Sequence, residues 1–226
     1  MTVIPKPAST VVLMDDSSRV YLTKRPVSMK FMGGFHVFPG GAVEKTDQQV
    51  LDSTHILSNI QHSISLSYYL TAARELFEEV GVLLVTDKDG NPFQLPKDKI
   101  RAYRQQLVNG EISFIRLLEL ENLYIDLQCL TYFGQIITPE EMPIRFDTRF
   151  FLARLPQGQI PEPDLTEIDE ACWFQPDEAL AACKNKQIRL APPTIITLQT
   201  IKNYENGGDL WMTVTNRDLL ELLKRQ

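Results

Sequence analysis

Between Arg74 and Val82 the chain reads Arg-Glu-Leu-Phe-Glu-Glu-Val-Gly-Val, which places Glu75, Glu78 and Glu79 in one helical segment that ends at Gly81. At roughly 100° per residue, these three carboxylates share a sector about 100° wide, while Leu70, Ala73, Leu76, Phe77 and Val80 take the other side. An acidic face opposite an apolar stripe is what many amphipathic surface helices carry. Three anions without interleaved lysines, however, repel one another at i,i+3 and i,i+4. Arg74 reaches Glu78 at i,i+4, but one guanidinium cannot neutralise three acids. Hard oxygen ligands in excess of local positive charge suit Mg²⁺ or Mn²⁺.

A second feature lies upstream. Gly33-Gly34-Phe35-His36-Val37-Phe38-Pro39-Gly40-Gly41-Ala42-Val43-Glu44 opens as a short strand of alternating Phe and Val, which Pro39-Gly40-Gly41 interrupts. Its glycines expect a turn able to take positive φ and to approach a ligand closely. His36 in this run, and His55 and His62 further on, lack ligand spacing and are expected to be structural.

The glycine segment followed by Arg-Glu-Leu-Phe-Glu-Glu-Val-Gly-Val resembles the signature box of Nudix hydrolases: Gly, five residues, Glu, seven residues, then Arg-Glu-apolar-x-Glu-Glu-x-Gly-apolar. The second half matches at every defined position. In the first half, counting six on from Gly41 reaches Asp47 where the family has Glu. Residues 48 to 73 then occupy 26 positions where the pattern has seven, an insertion of 19. A split of this kind is similar to that of a subgroup resembling the peroxisomal coenzyme A diphosphatases. That likeness is also carried by Lys30-Phe31-Met32-Gly33-Gly34 and Arg145-Phe146-Asp147-Thr148-Arg149-Phe150-Phe151, so it runs from about Thr10 to about Leu180.

The resemblance implies an α/β/α sandwich with a mixed sheet, and a metal-dependent hydrolase of a phosphoanhydride in a nucleoside diphosphate linked to another group. Glu75, Glu78 and Glu79 carry over as metal ligands and catalytic groups, with the Gly41 carbonyl beside them and Arg74 orienting the carboxylates. Gly40, Gly41 and Arg25 are candidates for contacting substrate; an arginine at the end of a strand is also an ordinary surface residue. The general base is open among Glu75, Glu140, Glu141, Glu167 and Glu170. Subgroup likeness puts coenzyme A or an acyl-CoA first among substrates, then ADP-ribose or NADH. The competing expectation is a Nudix-like module that senses a nucleotide without cleaving it, against which the retained acids speak.

The elements that must position these residues follow from pattern. The 226 residues, 43% of them hydrophobic, are expected to form one domain. Ser9–Met14 and Arg19–Thr23 read as a hairpin around Asp15-Asp16-Ser17-Ser18. Residues 48 to 70, with Ile56, Leu57, Ile60 and Ile64 near helical spacing, read as mostly helical with a break near residues 63 to 67. Such a segment expects a surface to bury against, on this chain or on a second copy in a homodimer. Residues 97 to 121 read as a second helical excursion, in two parts. Strands are expected over 129–138, 148–155 and 171–174, and helices from Pro176, over 192–204 and over 216–224.

The balance of 23 basic against 29 acidic residues, net −6, argues against a stable nucleic-acid partner; a phosphate substrate then needs local cations. The three cysteines, Cys129, Cys172 and Cys183, have neither zinc-site nor disulfide spacing. No run reaches the length of a membrane span, no leader is visible and the last residues lack a peroxisomal address, so the expectation is a cytoplasmic protein that acts on a small nucleotide conjugate.

Overall fold

Lys6–Met14 forms strand β1, and its side chains alternate between two separate cores. Val11 and Leu13 point into one, Val12 and Met14 into the other, and all four are fully or almost fully buried. A strand buried on both faces must lie at the centre of a layered structure. In the computed structural model, which describes residues 3–49, 54–57 and 63–224, β1 does so. It runs parallel to β8 (Phe146–Arg154) from Lys6↔Phe146 to Met14↔Arg154. Its other edge is shared: β4 (Gly40–Ala42) pairs antiparallel with residues 8–10, and β2 (Val20–Lys24) begins beyond at Met14↔Val20.

The remaining strands extend this sheet. β3 (His36–Val37) and β9 (Glu170–Phe174) flank β2, and β7 (Thr131–Ile137) closes the far side against β8. Among the described residues the mixed sheet has seven strands.

One face is covered by α2 (Leu66–Val80) together with α3 (Lys97–Val108) and α4 (Phe114–Glu121), which contribute Leu76, Phe77, Leu107 and Leu117 to a shared core. The opposite face packs on α5 (Pro176–Lys184), α6 (Pro192–Glu205) and α7 (Asn216–Lys224) through Ala179, Leu198, Ile201 and Leu219. This is the expected α/β architecture with helical layers on both faces of a mixed sheet.

Two local expectations are corrected. Residues 48–70 are not mostly helical where they are described: after the short α1 (Lys45–Gln48), Ile56–Leu57 forms β5, which pairs in parallel with β6 (Ile125–Asp126), and α2 begins only at Leu66. His55 anchors this contact, its Nδ1 lying 2.8 Å from the Leu123 carbonyl and its ring stacked on Tyr124 at 4.9 Å. Ile56 and Ile64 pack against the helical core rather than forming a helix stripe of their own; Ile60 lies outside the described residues. The second correction concerns Gly40 and Gly41, which sit in strand β4 rather than in a turn, Gly40 near-extended at φ 158°.

Candidate active site

The acidic helix ends as its sequence demands. Ser65 caps its first turn, the Oγ accepting from the Ser67 N–H. Gly81 closes the last turn in the left-handed region at φ 72°, donating its N–H to the Phe77 carbonyl at 2.9 Å. Between these caps the apolar stripe is buried, which leaves Glu75, Glu78 and Glu79 no choice but to project along the flank facing β4.

Arg74 is the hub of this flank, although its side chain is only 3% exposed. Its Nε and Nη2 donate to Asp47 at 3.1 and 3.0 Å, and Nη2 also reaches the Ala42 carbonyl at 3.1 Å. Nη1 lies 3.0 Å from both Glu75 and Glu78. Asp47 is equally buried and accepts in addition from the Thr71 hydroxyl and the Glu44 N–H, each at 2.9 Å. Burial works against the Arg74 charge, but hydrogen bonding to Asp47 and the fields of Glu75, Asp47 and Glu78 outweigh it and hold the guanidinium above its ordinary pKa. Asp47 thus fulfils a supporting role despite being one methylene shorter than the family's Glu. Its partner Thr71 was missed by the sequence reading, because a threonine on a helix carries no signal of its own.

The carboxylates are strained electrostatically. Burial is the largest cause for Glu75 and Glu78, whose pKa values rise to about 7 despite Arg74, with Glu44 adding to both. Glu79 is pushed well above the ordinary range, first by burial, then by Glu75 and Glu167; Arg25 and the Gly40 N–H oppose the shift. One arginine on one side therefore leaves a crowd of desolvated carboxyl groups that favour holding protons in the metal-free site.

Glu75 and Glu79 open into a cleft of about 460 Å³. Arg25, Gly40, Gly41, Thr10 and Glu167 line it with them, and Met29, Phe31, Met32 and Phe146 supply an apolar wall. Gly41 lies so close over Glu75 that a Cβ there would overlap the carboxylate, and a Cβ on Gly40 would overlap Ser9 and Thr10. The Arg25 Nε is buried and finds no hydrogen-bond partner among the described residues.

Other sequence candidates fall elsewhere. Glu78 does not line the cleft and is held on Arg74. Glu140 and Glu141 sit in the exposed turn after β7, away from the cleft lining, and Glu170 faces Lys24 at 3.8 Å on β9. His36 is buried with Nδ1 3.3 Å from the Arg189 carbonyl, in keeping with a structural role.

Whether these residues suit a divalent ion can be tested on the donor set. Glu75 and Glu79 offer hard carboxylate oxygens to the cleft, in a cluster with more acids than Arg74 can neutralise, which fits. Among the described residues no three acidic, histidine or cysteine side chains yet converge on one point, since Arg74 holds Glu78 and shares Glu75.

The chain is also similar to known proteins. The NUDT19 Nudix domain family model matches residues 52–201. The chain is 28% identical to putative nudix hydrolase 7 of Caenorhabditis elegans, aligning 88% of itself with 61% of that protein. It is 25% identical to the acyl-coenzyme A diphosphatase NUDT19 of Homo sapiens, aligning 85% with 62%. It therefore spans about three fifths of the length of the curated relatives it matches. A crystal structure of a Nudix hydrolase from Alicyclobacillus acidocaldarius superposes with a TM-score of 0.78 at 27% identity, covering 89% of this chain and 92% of that one. With its split box, its mixed sheet and a family match across most of its length, the chain belongs to the Nudix hydrolase family, within the NUDT19 Nudix domain group.

Proposed function

We propose that the protein is a divalent-metal-dependent diphosphatase that hydrolyses the phosphoanhydride of a nucleoside diphosphate joined to a second group, with coenzyme A or an acyl-CoA as first substrate and ADP-ribose or NADH next. The observation that carries this reading is the meeting of Glu75, Glu79, Glu167, Gly41 and Arg25, whose buried Nε has no hydrogen-bond partner among the described residues, in one cleft. The preference for coenzyme A rests on the split box and on relatives whose names describe an acyl-coenzyme A diphosphatase.

In this reading Glu75, Glu78 and Glu79 would hold Mg²⁺ or Mn²⁺, which would supply Lewis acidity and charge balance for the phosphoryl transfer. Arg74 meters the acids, since each carboxylate it releases becomes available as a ligand. Arg25 offers its free N–H to a substrate phosphate. The Gly40–Gly41 backbone lets the diphosphate approach Glu75 without a side chain between them. Glu167 accepts a proton from the attacking water; it is favoured over Glu140, Glu141 and Glu170 because it lines the cleft, with Glu75 as the alternative base. A new P–O bond forms to that water oxygen, the bridging P–O bond breaks, and two phosphorylated halves leave.

The test is hydrolysis of coenzyme A, ADP-ribose, NADH and a dinucleoside polyphosphate with and without Mg²⁺ or Mn²⁺, with products identified. Metal-dependent release of two phosphorylated halves is expected. Tight nucleotide binding without turnover in any metal would instead make the protein a sensing module.

A further inference from the structure

Carbonyls in the last turn of an α-helix run out of intrahelical partners, and in α2 those from Phe77 to Val80 each have a traceable donor. Phe77 accepts from Gly81 at 2.9 Å, and Val80 from the Glu162 N–H at 2.8 Å. Glu78 and Glu79 accept from Arg104, which lies on α3, outside the cleft lining and more than twenty residues away in sequence. Its Nε reaches the Glu78 carbonyl at 3.0 Å, its Nη2 the Glu79 carbonyl at 3.0 Å, and its Nη1 the Glu162 carbonyl at 2.9 Å. The guanidinium is buried, and a Cβ on Gly81 would come to 3.3 Å from its Nη1. A cation at a helix C-terminus also complements the macrodipole.

The loop tied down by this fork leads directly to Glu167. The Asp164 N–H donates to the Glu79 carbonyl at 2.8 Å, the Asp164 carbonyl accepts from Glu167 and Ile168 at 3.1 and 2.9 Å, and the Asp169 N–H then joins β2 through the Lys24 carbonyl at 2.9 Å. Glu79 and Glu167, on separate elements, are thereby held across the cleft by one short backbone tether whose near end Arg104 clamps. We infer that Arg104 is a positioning residue that sets the spacing between the Glu79 carboxylate and Glu167, so that the helical excursion carrying α3 is part of the catalytic scaffold. This rests on the proposed hydrolase reading for its kinetic consequence, while the tether itself is open to test without turnover.

Arg104→Lys keeps the charge but cannot reproduce a three-way fork; Arg104→Gln serves if the lysine variant fails to fold, with a thermal melt as the check. Two readouts are taken. In the metal-free protein, hydrogen exchange at the amides of Glu162 and residues 164–168 is expected to speed up while the β1 and β8 amides keep their protection. With the best substrate from the screen, kcat is expected to fall about 10- to 100-fold with KM within about two-fold. In a Glu167→Gln background the same change is expected to cost less than about three-fold, because the two residues act as one unit. An equal loss in both backgrounds, or no loss, overturns the inference, as does unchanged exchange at Glu162 and 164–168. If the wild-type protein hydrolyses nothing, the hydrolase reading fails and the exchange experiment alone decides the tether.

Discussion

Arg74 and Asp47 lie 27 residues apart in the chain yet form a buried, two-pronged pair in which Nε and Nη2 address one carboxylate at 3.1 and 3.0 Å. This pair re-joins the two halves of a box that the insertion separates. Removing one member of a buried pair strands the other charge, which typically costs about 3–5 kcal/mol. Asp47→Asn is expected near the lower end of that range, because Glu75 and Glu78 remain on Nη1 to compensate. Chemical denaturation measures it; a change below about 1 kcal/mol, the scale of an exposed pair, would show that the pair does not hold the halves together.

Glu79→Gln removes a proposed ligand from a repulsive, desolvated position. Activity is expected to fall by more than about 10²-fold, beyond the loss typical of a group outside the immediate ligand set. The metal-free melting temperature is expected to hold or rise. Activity within a few-fold of wild type at saturating metal would remove this helix from the metal site.

Gly41→Ala places a methyl group against the Glu75 carboxylate. Because the clashing atoms are the end of a flexible side chain, Glu75 swings away at little cost to the fold. The expected result is weakened metal dependence and at least about 10-fold lower activity with a nearly unchanged melting temperature. A large loss of stability with normal specific activity would mean that Gly41 serves the strand and not the site.

The pH dependence has a definite sign. Glu75 and Glu78 have pKa values near 7 in the folded metal-free protein, against 4.5 for the ordinary group. The folded state therefore holds protons that the unfolded state releases, so their contribution is fully present below about pH 4.5 and is lost as pH rises through about 7. Melting temperature without metal should fall across that window, and Mg²⁺ should restore it more at about pH 8 than at about pH 5, since a metal needs ionised ligands. An Mg²⁺ effect of equal size at both pH values would contradict the assignment of these carboxylates as ligands.

Much of this arrangement was legible beforehand because it is local. The 3.6-residue spacing of Leu70, Ala73, Leu76, Phe77 and Val80 fixes α2 and its acidic face, and the αL glycine fixes its end. What stayed hidden depends on distant partners. Ile56 and Leu57 have helix-like spacing with Ile60 and Ile64, but pairing with Ile125 and Asp126 draws them into a strand, and two residues are too few to show a period of two. Glu167 could not be separated from its neighbouring acids, because only the fold places its turn, tethered at Asp164 and Asp169, against the cleft. Arg104 reads as an unremarkable arginine on an amphipathic helix; only the fold brings it to the carbonyls of Glu78 and Glu79. The glycines of β4 were noticed for conformational freedom, whereas their function in the fold is to leave room for Glu75 and for β1.

The central claim, that the Arg74-metered acids form a metal-dependent diphosphatase centre, is most directly tested by following coenzyme A hydrolysis by the wild-type protein and by Glu79→Gln over a titration of Mg²⁺ or Mn²⁺, with both product halves quantified. The expected result is equimolar release of two phosphorylated halves that requires the metal, saturates with it, and collapses in the Glu79→Gln protein. Hydrolysis that proceeds unchanged in excess chelator, or that survives intact in Glu79→Gln, would contradict it.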